Sequence, residues 1–115
     1  MPLLKFETNV ALPKEKQSLL LAALSKIVAG AIGKPEEYVM VAASHAHLLM
    51  SGTDGDAAVV EIRSIGGLSP EVNRKLSQQI CRLLKDSAGI SQDRIYLNFT
   101  DVRAGDWGWN GDTFG

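Results

Sequence analysis

Apolar and polar positions alternate at the start of the chain. Leu4, Phe6 and Val10 interleave with Lys5, Glu7 and Asn9, the period of a strand that buries one face. From Pro13 the spacing changes to that of a helix: Leu20, Leu24, Ile27, Val28 and Ala31 form one stripe, ended by Gly33 and blocked by Pro35. The run from Tyr38 to Ala43 has strand length and β-branched content, and the glycine-containing segment Ser51 to Asp56 is a loop. The same order then recurs. Ala57 to Ile65 reads as a strand, with Glu61 and Arg63 set against Val60 and Ile62, and Gly66-Gly67 breaks it. Ser69 is a candidate N-cap with Pro70 at the first helical position and Glu71 favouring the helix dipole. Val72, Leu76, Ile80, Leu83 and Leu84 form the stripe, and Gly89 is the expected C-cap. Ile95, Leu97 and Phe99 alternate with Tyr96, Asn98 and Thr100, so a final strand presents a phenol and an amide on its polar face.

The predicted fold class is therefore α+β, a β-α-β-β-α-β chain whose two helices cover one face of a four-stranded sheet. The halves align without a gap at an offset of 57, the separation of Pro13 and Pro70, which also matches Leu19 with Leu76, Ile27 with Leu84 and Glu36 with Asp93. That periodicity implies a pseudo-two-fold repeat. Leu3, Val39, Val41 and Val59 place apolar side chains on both faces of the sheet, more than two helices can cover, so self-association is expected. A ferredoxin-like monomer shares the element order and requires a polar open face. The tail from Asp106 to Gly115 carries both tryptophans and Phe114 among glycines, too irregular for a long element and too aromatic to remain in water.

Composition narrows the function. The 115 residues are 45% hydrophobic and 22% charged, as in an ordinary globular domain, and one domain spanning 1–115 is expected. Twelve Lys and Arg against 13 Asp and Glu give a formal net charge of −1 with no basic stripe, which argues against nucleic acid as a partner. The most apolar stretch, Ser18 to Gly33, is interrupted by Ser25, Lys26 and Gly30 and is too short and polar to span a bilayer. Lys5 and Glu7 interrupt the place where a signal peptide needs an apolar run. With Cys81 as the single cysteine, no internal disulfide can form, and a reducing, cytoplasmic setting is expected.

Few residues invite chemistry. His45 and His47 share one side of an extended chain but lack a third ligand, so no metal is expected. The glycine pairs match neither a P-loop nor a dinucleotide fingerprint, and no cofactor is expected. Cys81 lies on the helical stripe, where a buried and inert thiol is usual. Pro2 differs: once Met1 is removed it is a secondary amine, and burial or a nearby cation can bring such a base toward neutrality.

Met1-Pro2, Gly33-Lys34-Pro35 with Tyr38 after it, Ser64-Ile65-Gly66, Tyr96-Leu97-Asn98, and Gly108-Trp109-Asn110 through Thr113-Phe114 together resemble the macrophage migration inhibitory factor family of the tautomerase superfamily. The resemblance runs end to end. It implies a homotrimer with sites at the subunit interfaces and a cofactor-independent keto-enol isomerase for small aromatic 2-oxo acids of the phenylpyruvate type, with dopachrome-like compounds as further substrates. On that resemblance Pro2 is the general base, Lys34 holds the substrate carboxylate and depresses the prolyl pKa, and Ile65 supplies a backbone group and an apolar wall. Tyr96 and Asn98 come from the adjacent subunit, and Trp109 and Phe114 line the pocket. Three departures matter. Trp107 stands at the rim where relatives often carry a small aliphatic residue. Ala57 to Val60 replaces the Cys-x-x-C stretch of the vertebrate cytokines, which removes the basis for thiol oxidoreductase activity. Leu12 lies near the position where those cytokines carry a loop arginine implicated in receptor engagement, which weakens the case for signalling. The alternative function is a cytokine-like or protein-interaction module that retains a vestigial pocket.

Overall fold

The computed structural model describes residues 1–115. Strand β1 (Pro2–Thr8) leads to helix α1 (Lys14–Ile32), and β2 (Met40–His45) returns beside β1. Strand β3 (Ala58–Ser64), helix α2 (Pro70–Ala88) and β4 (Ile95–Asp101) repeat the unit. A short hairpin of β5 (Gly108–Trp109) and β6 (Asp112–Thr113) closes the chain. The main sheet has the order β2-β1-β3-β4. Each half is a parallel pair, and the halves meet where β1 runs antiparallel to β3. Because β1 and β2 are direct neighbours, neither β-α-β unit is split by an intervening strand, and this topology excludes the ferredoxin-like alternative. No helix is long and apolar enough to cross a membrane.

Alternation along the strands sends Leu4, Phe6, Val60 and Ile62 to the helix side, where they meet Leu20, Leu24 and Val28 of α1 and Leu76, Ile80 and Leu84 of α2. Each such side chain contributes about 1.5–3 kcal/mol on burial. The helix ends follow local chemistry. Ser69 Oγ accepts from the Val72 N–H at 3.1 Å, and both helices stop at a glycine in the left-handed region, Gly33 at φ 76° and Gly89 at φ 68°.

The repeat is real, but its offset is 56 and not 57. Lys14 and Pro70 begin the helices, Gly33 and Gly89 cap them, and the 3-10 turns Glu36–Tyr38 and Gln92–Arg94 follow, each pair 56 positions apart. Leu20, not Leu19, is the partner of Leu76, since Leu19 is 74% exposed and Leu20 is in the core. The prolines mislead because Pro13 is the N-cap of α1 whereas Pro70 is the first residue inside α2.

Two further expectations change. The second strand begins at Met40, not Tyr38, because Glu36–Tyr38 forms a 3-10 turn after Pro35. The open face of the sheet is also not the apolar surface expected. Val41 packs against the core with the helices, and Lys5, Glu7, Ser44, Glu61 and Arg63 share the open face with Leu3 and Val59. The open face is thus mixed, with Leu3, Met40, Val59 and Tyr96 set among charged neighbours. The most exposed apolar groups of that face, Met40 beside Leu3 and Tyr96 beside Val59, lie on its edge strands, and Trp109 and Phe114 are exposed in the tail.

Candidate active site

A cavity of about 510 Å³ opens at the amino-terminal end of β1. Its lining comes from three parts of the chain: Met1, Pro2 and Leu3; Glu37, Tyr38, Val39 and Met40; and Trp107, Gly108 and Trp109. The sheet register explains the first contact. Leu3 pairs with Met40, so the residues just before β2 run alongside Pro2 and Met1. Pro2 itself is buried at the end of β1, on the same side as Leu4 and Phe6.

The third wall is the tail. The Val102 N–H donates to the Ser64 carbonyl at 2.9 Å and carries the chain past the end of β3, and the Phe114 N–H donates to the Trp107 carbonyl at 3.2 Å. Between them Asn110 (φ 53°) and Gly111 (φ 83°) both adopt positive φ, the requirement of a two-residue hairpin turn that Asn-Gly satisfies. This turn aims Trp109 at the cavity and stacks its ring on Phe114, centroids 6.0 Å apart and planes 13° from parallel. The Asn-Gly pair was the available sequence signal for a hairpin in a tail that otherwise reads as irregular.

Lys34 follows the left-handed Gly33, and its N–H donates to the Ala29 carbonyl at 3.2 Å. It does not line the cavity, but its charge reaches the α-amine of Met1. That amine is held below its ordinary pKa, first by burial and then by the Lys34 ammonium. Gly67, at φ 81°, packs under this corner: a Cβ there would stand 2.5 Å from Ile32 Cγ2 and 3.7 Å from Lys34 Cε. The loop is fixed from the other side by the Gly66 N–H donating to Asp101 Oδ1 at 3.0 Å, and by Ser64 Oγ donating to the Gly66 carbonyl at 2.7 Å. Ile65 lies half-buried between these anchors.

The predicted site residues therefore divide. Pro2, Trp107 and Trp109 line one cavity, Lys34 acts on its amine, and Phe114 backs Trp109. Tyr96 and Asn98 do not join them. They project from the open face of β4, opposite Val59 and Glu61, and Tyr96 is 68% exposed. Glu37, Tyr38, Val39 and Met40 were not anticipated as lining, although Tyr38 belongs to the motif after the Gly33-Lys34-Pro35 turn.

Elsewhere the chemistry is sparse. His45 Nε2 lies 3.2 Å from the Asn9 carbonyl, and the His45 and His47 rings meet edge to face at 6.1 Å. No group of three or more His, Cys, Asp and Glu side chains is placed to hold a metal. Burial pushes the Cys81 thiol up, away from the thiolate a nucleophile needs.

Residues 1–115 match the family model described as macrophage migration inhibitory factor (MIF). A macrophage migration inhibitory factor homolog of Trichuris trichiura is 41% identical over 116 residues, covering 99% of this chain and 100% of the relative. The crystal structure of a macrophage migration inhibitory factor-like protein from Entamoeba histolytica superposes with a TM-score of 0.95 at 30% identity, covering 98% of each chain. The homologue from Prochlorococcus marinus superposes at 0.92 with 38% identity, covering 98% of this chain and 99% of that one.

Proposed function

This chain belongs to the macrophage migration inhibitory factor family, and from that premise we propose that it is a cofactor-independent keto-enol tautomerase for small aromatic 2-oxo acids of the phenylpyruvate type. The observation that carries the reading is Pro2, buried at the end of β1 in a mostly apolar cavity, next to a Met1 α-amine whose protonated form burial and Lys34 both disfavour. With Met1 attached the prolyl nitrogen is an amide and has no basicity, so the reaction requires its removal. The freed nitrogen then takes a proton from the carbon next to the substrate carbonyl, and the C–H electron pair becomes the C=C bond as the carbonyl oxygen gains charge. Return of that proton to the oxygen gives the enol, and no cofactor enters the balance.

The remaining residues take positioning roles in this reading. Lys34 holds the carboxylate by charge, Ile65 supplies a backbone group and an apolar wall, and Trp107 and Trp109 sandwich the aromatic ring, with Phe114 stacked behind Trp109. Tyr96 and Asn98 complete the site from the neighbouring subunit of a homotrimer and stabilise the charge that develops on oxygen. Their distance from Pro2 within one chain, and their exposure, agree with that assignment.

The test joins mass spectrometry of the purified protein to a phenylpyruvate tautomerase assay. Loss of Met1 with turnover supports the enzyme. Loss of Met1 without turnover overturns it in favour of an interaction module that keeps only the pocket.

A further inference from the structure

Of the residues that line the cavity, one alone has a charged side chain. Glu37 stands there among Pro2, Tyr38, Met40, Trp107 and Trp109, and it is exposed rather than buried. It makes no ion pair. Its neighbour Glu36, outside the cavity, faces Lys26 at 3.9 Å, and the other pairs of the chain are Arg63 with Glu61 and Arg103 with Asp106. Glu37 precedes Met40, the partner of Leu3, by three positions, so it lies beyond the end of the β1–β2 pair, outward of Pro2. The cavity thus offers a ligand an exposed carboxylate with no ion pair in its own chain, an aromatic wall, and an α-amine that feels the Lys34 charge.

We propose that Glu37 is a specificity residue that ranks ligands by the charge at the end remote from their carboxylate, favouring an ammonium over a neutral group and rejecting a second carboxylate. The proposal deepens the tautomerase reading and rests on it for the orientation of the ligand, carboxylate toward Lys34 and ring between the tryptophans. The physical argument is Coulombic. An apolar wall lowers the effective dielectric at the mouth, and an unpaired charge there acts on the ligand undiminished by a protein partner. Like charges brought together across a site discriminate against the wrong ligand more than the matched pair adds affinity for the right one.

The experiment uses Met1-free protein at low salt with three substrates: phenylpyruvate and its 4-aminomethyl and 4-carboxy derivatives. Wild type is expected to favour the ammonium compound over the dicarboxylate about tenfold in kcat/KM, in keeping with a partly screened pair. Glu37→Gln should compress the ranking to within about twofold, and Glu37→Lys should invert it. Glu36→Gln, outside the cavity, should leave the ranking in place. Binding gives a second readout, because both tryptophans of the chain line this cavity and their fluorescence reports on its occupant. The non-reacting 3-arylpropanoates with the same three substituents should rank by dissociation constant as the substrates rank by turnover. If wild type turns over none of the 2-oxo acids but the propanoates rank in a Glu37-dependent way, the tautomerase reading fails and the specificity role stands. An unchanged ranking in Glu37→Gln, an equal change in Glu36→Gln, or no quenching by any propanoate overturns the role of Glu37.

Discussion

Pro2 and Asn98 lie about 14 Å apart along the sheet, given ordinary strand spacing and rise, and on opposite faces of it. Pro2 pairs with Ser64, whereas Asn98 pairs with Glu61, three rows further along and across the intervening β3. No side-chain rotation closes that gap within one chain, so a site that uses both residues must draw them from two.

Mixing two inactive variants tests that requirement. Pro2→Gly and Asn98→Ala proteins, unfolded and refolded together, should regain activity, because some interfaces then join an intact Pro2 to an intact Asn98. With equal proportions and random assembly of a cyclic trimer, about one quarter of sites are intact. Activity should peak there and be absent from either parent. A monomer by light scattering, or subunit exchange proven by mass without recovered turnover, would sink the shared site.

Pro2→Gly retains an amine at the same end of β1 but loses the secondary nitrogen. General-base catalysis contributes about 10²- to 10⁴-fold, and a fall of that order in phenylpyruvate turnover is expected with unchanged far-ultraviolet circular dichroism. Pro2→Ala should behave alike, and near-full activity in either variant would remove the prolyl nitrogen from the mechanism.

Lys34→Ala should raise KM for carboxylate substrates more than it lowers kcat, and an equal defect with a methyl ester would contradict that role. The pH dependence has a definite sign. Burial and Lys34 lower the α-amine pKa in the chain that carries Met1, so its neutral form persists to lower pH than an ordinary amine's. Removing Lys34 moves that titration upward, measurable by NMR. In the processed enzyme the acid limb of kcat/KM should move to higher pH in the same direction.

Arg94 holds a loop through backbone alone. Its Nε donates to the Asp56 carbonyl at 2.9 Å, Nη1 to Met50 at 3.2 Å, and Nη2 to Thr53 at 3.2 Å and Gly55 at 3.0 Å. Arg94→Ala should cost about 1–3 kcal/mol in chemical denaturation, for charged donors lost from several acceptors at once. Hydrogen exchange should quicken across residues 50–56 while the cavity is undisturbed. Arg94→Lys should recover only part of the loss, since one ammonium cannot span the same set of carbonyls.

Arg94 also marks a limit of what the chain discloses before folding. Its partners are carbonyls, which every residue carries, so nothing in their side chains announces the contact. The helical stripes were legible because Leu20, Leu24 and Val28 and their counterparts Leu76, Ile80 and Leu84 repeat at the helical period. Strand boundaries were less so, because the 3-10 turn at Glu36–Tyr38 has no periodicity to declare it. Which face each of Leu3, Val39, Val41 and Val59 takes depends on the register, which a shift of one residue reverses, and the register sends Val41 to the helix side. For the candidate site, Pro2, Lys34 and Trp109 were read through motifs, whereas Glu37 enters the cavity only by the pairing of Leu3 with Met40.

The doubled architecture gives the molecule two corresponding sheet corners, and the tautomerase reading places chemistry at only one of them. At the repeat offset of 56, Pro2 corresponds to Ala58, the first residue of β3. An amine can be liberated at Pro2 by cutting a single bond, whereas Ala58 is joined through its nitrogen to all the chain before it. In the tautomerase reading the working group at the first corner is a freed end of the polymer itself, which duplication of a sequence cannot copy. Opening the chain just before Ala58, joining the old ends, and beginning the new chain with Ala58→Pro would set an amine at the second corner.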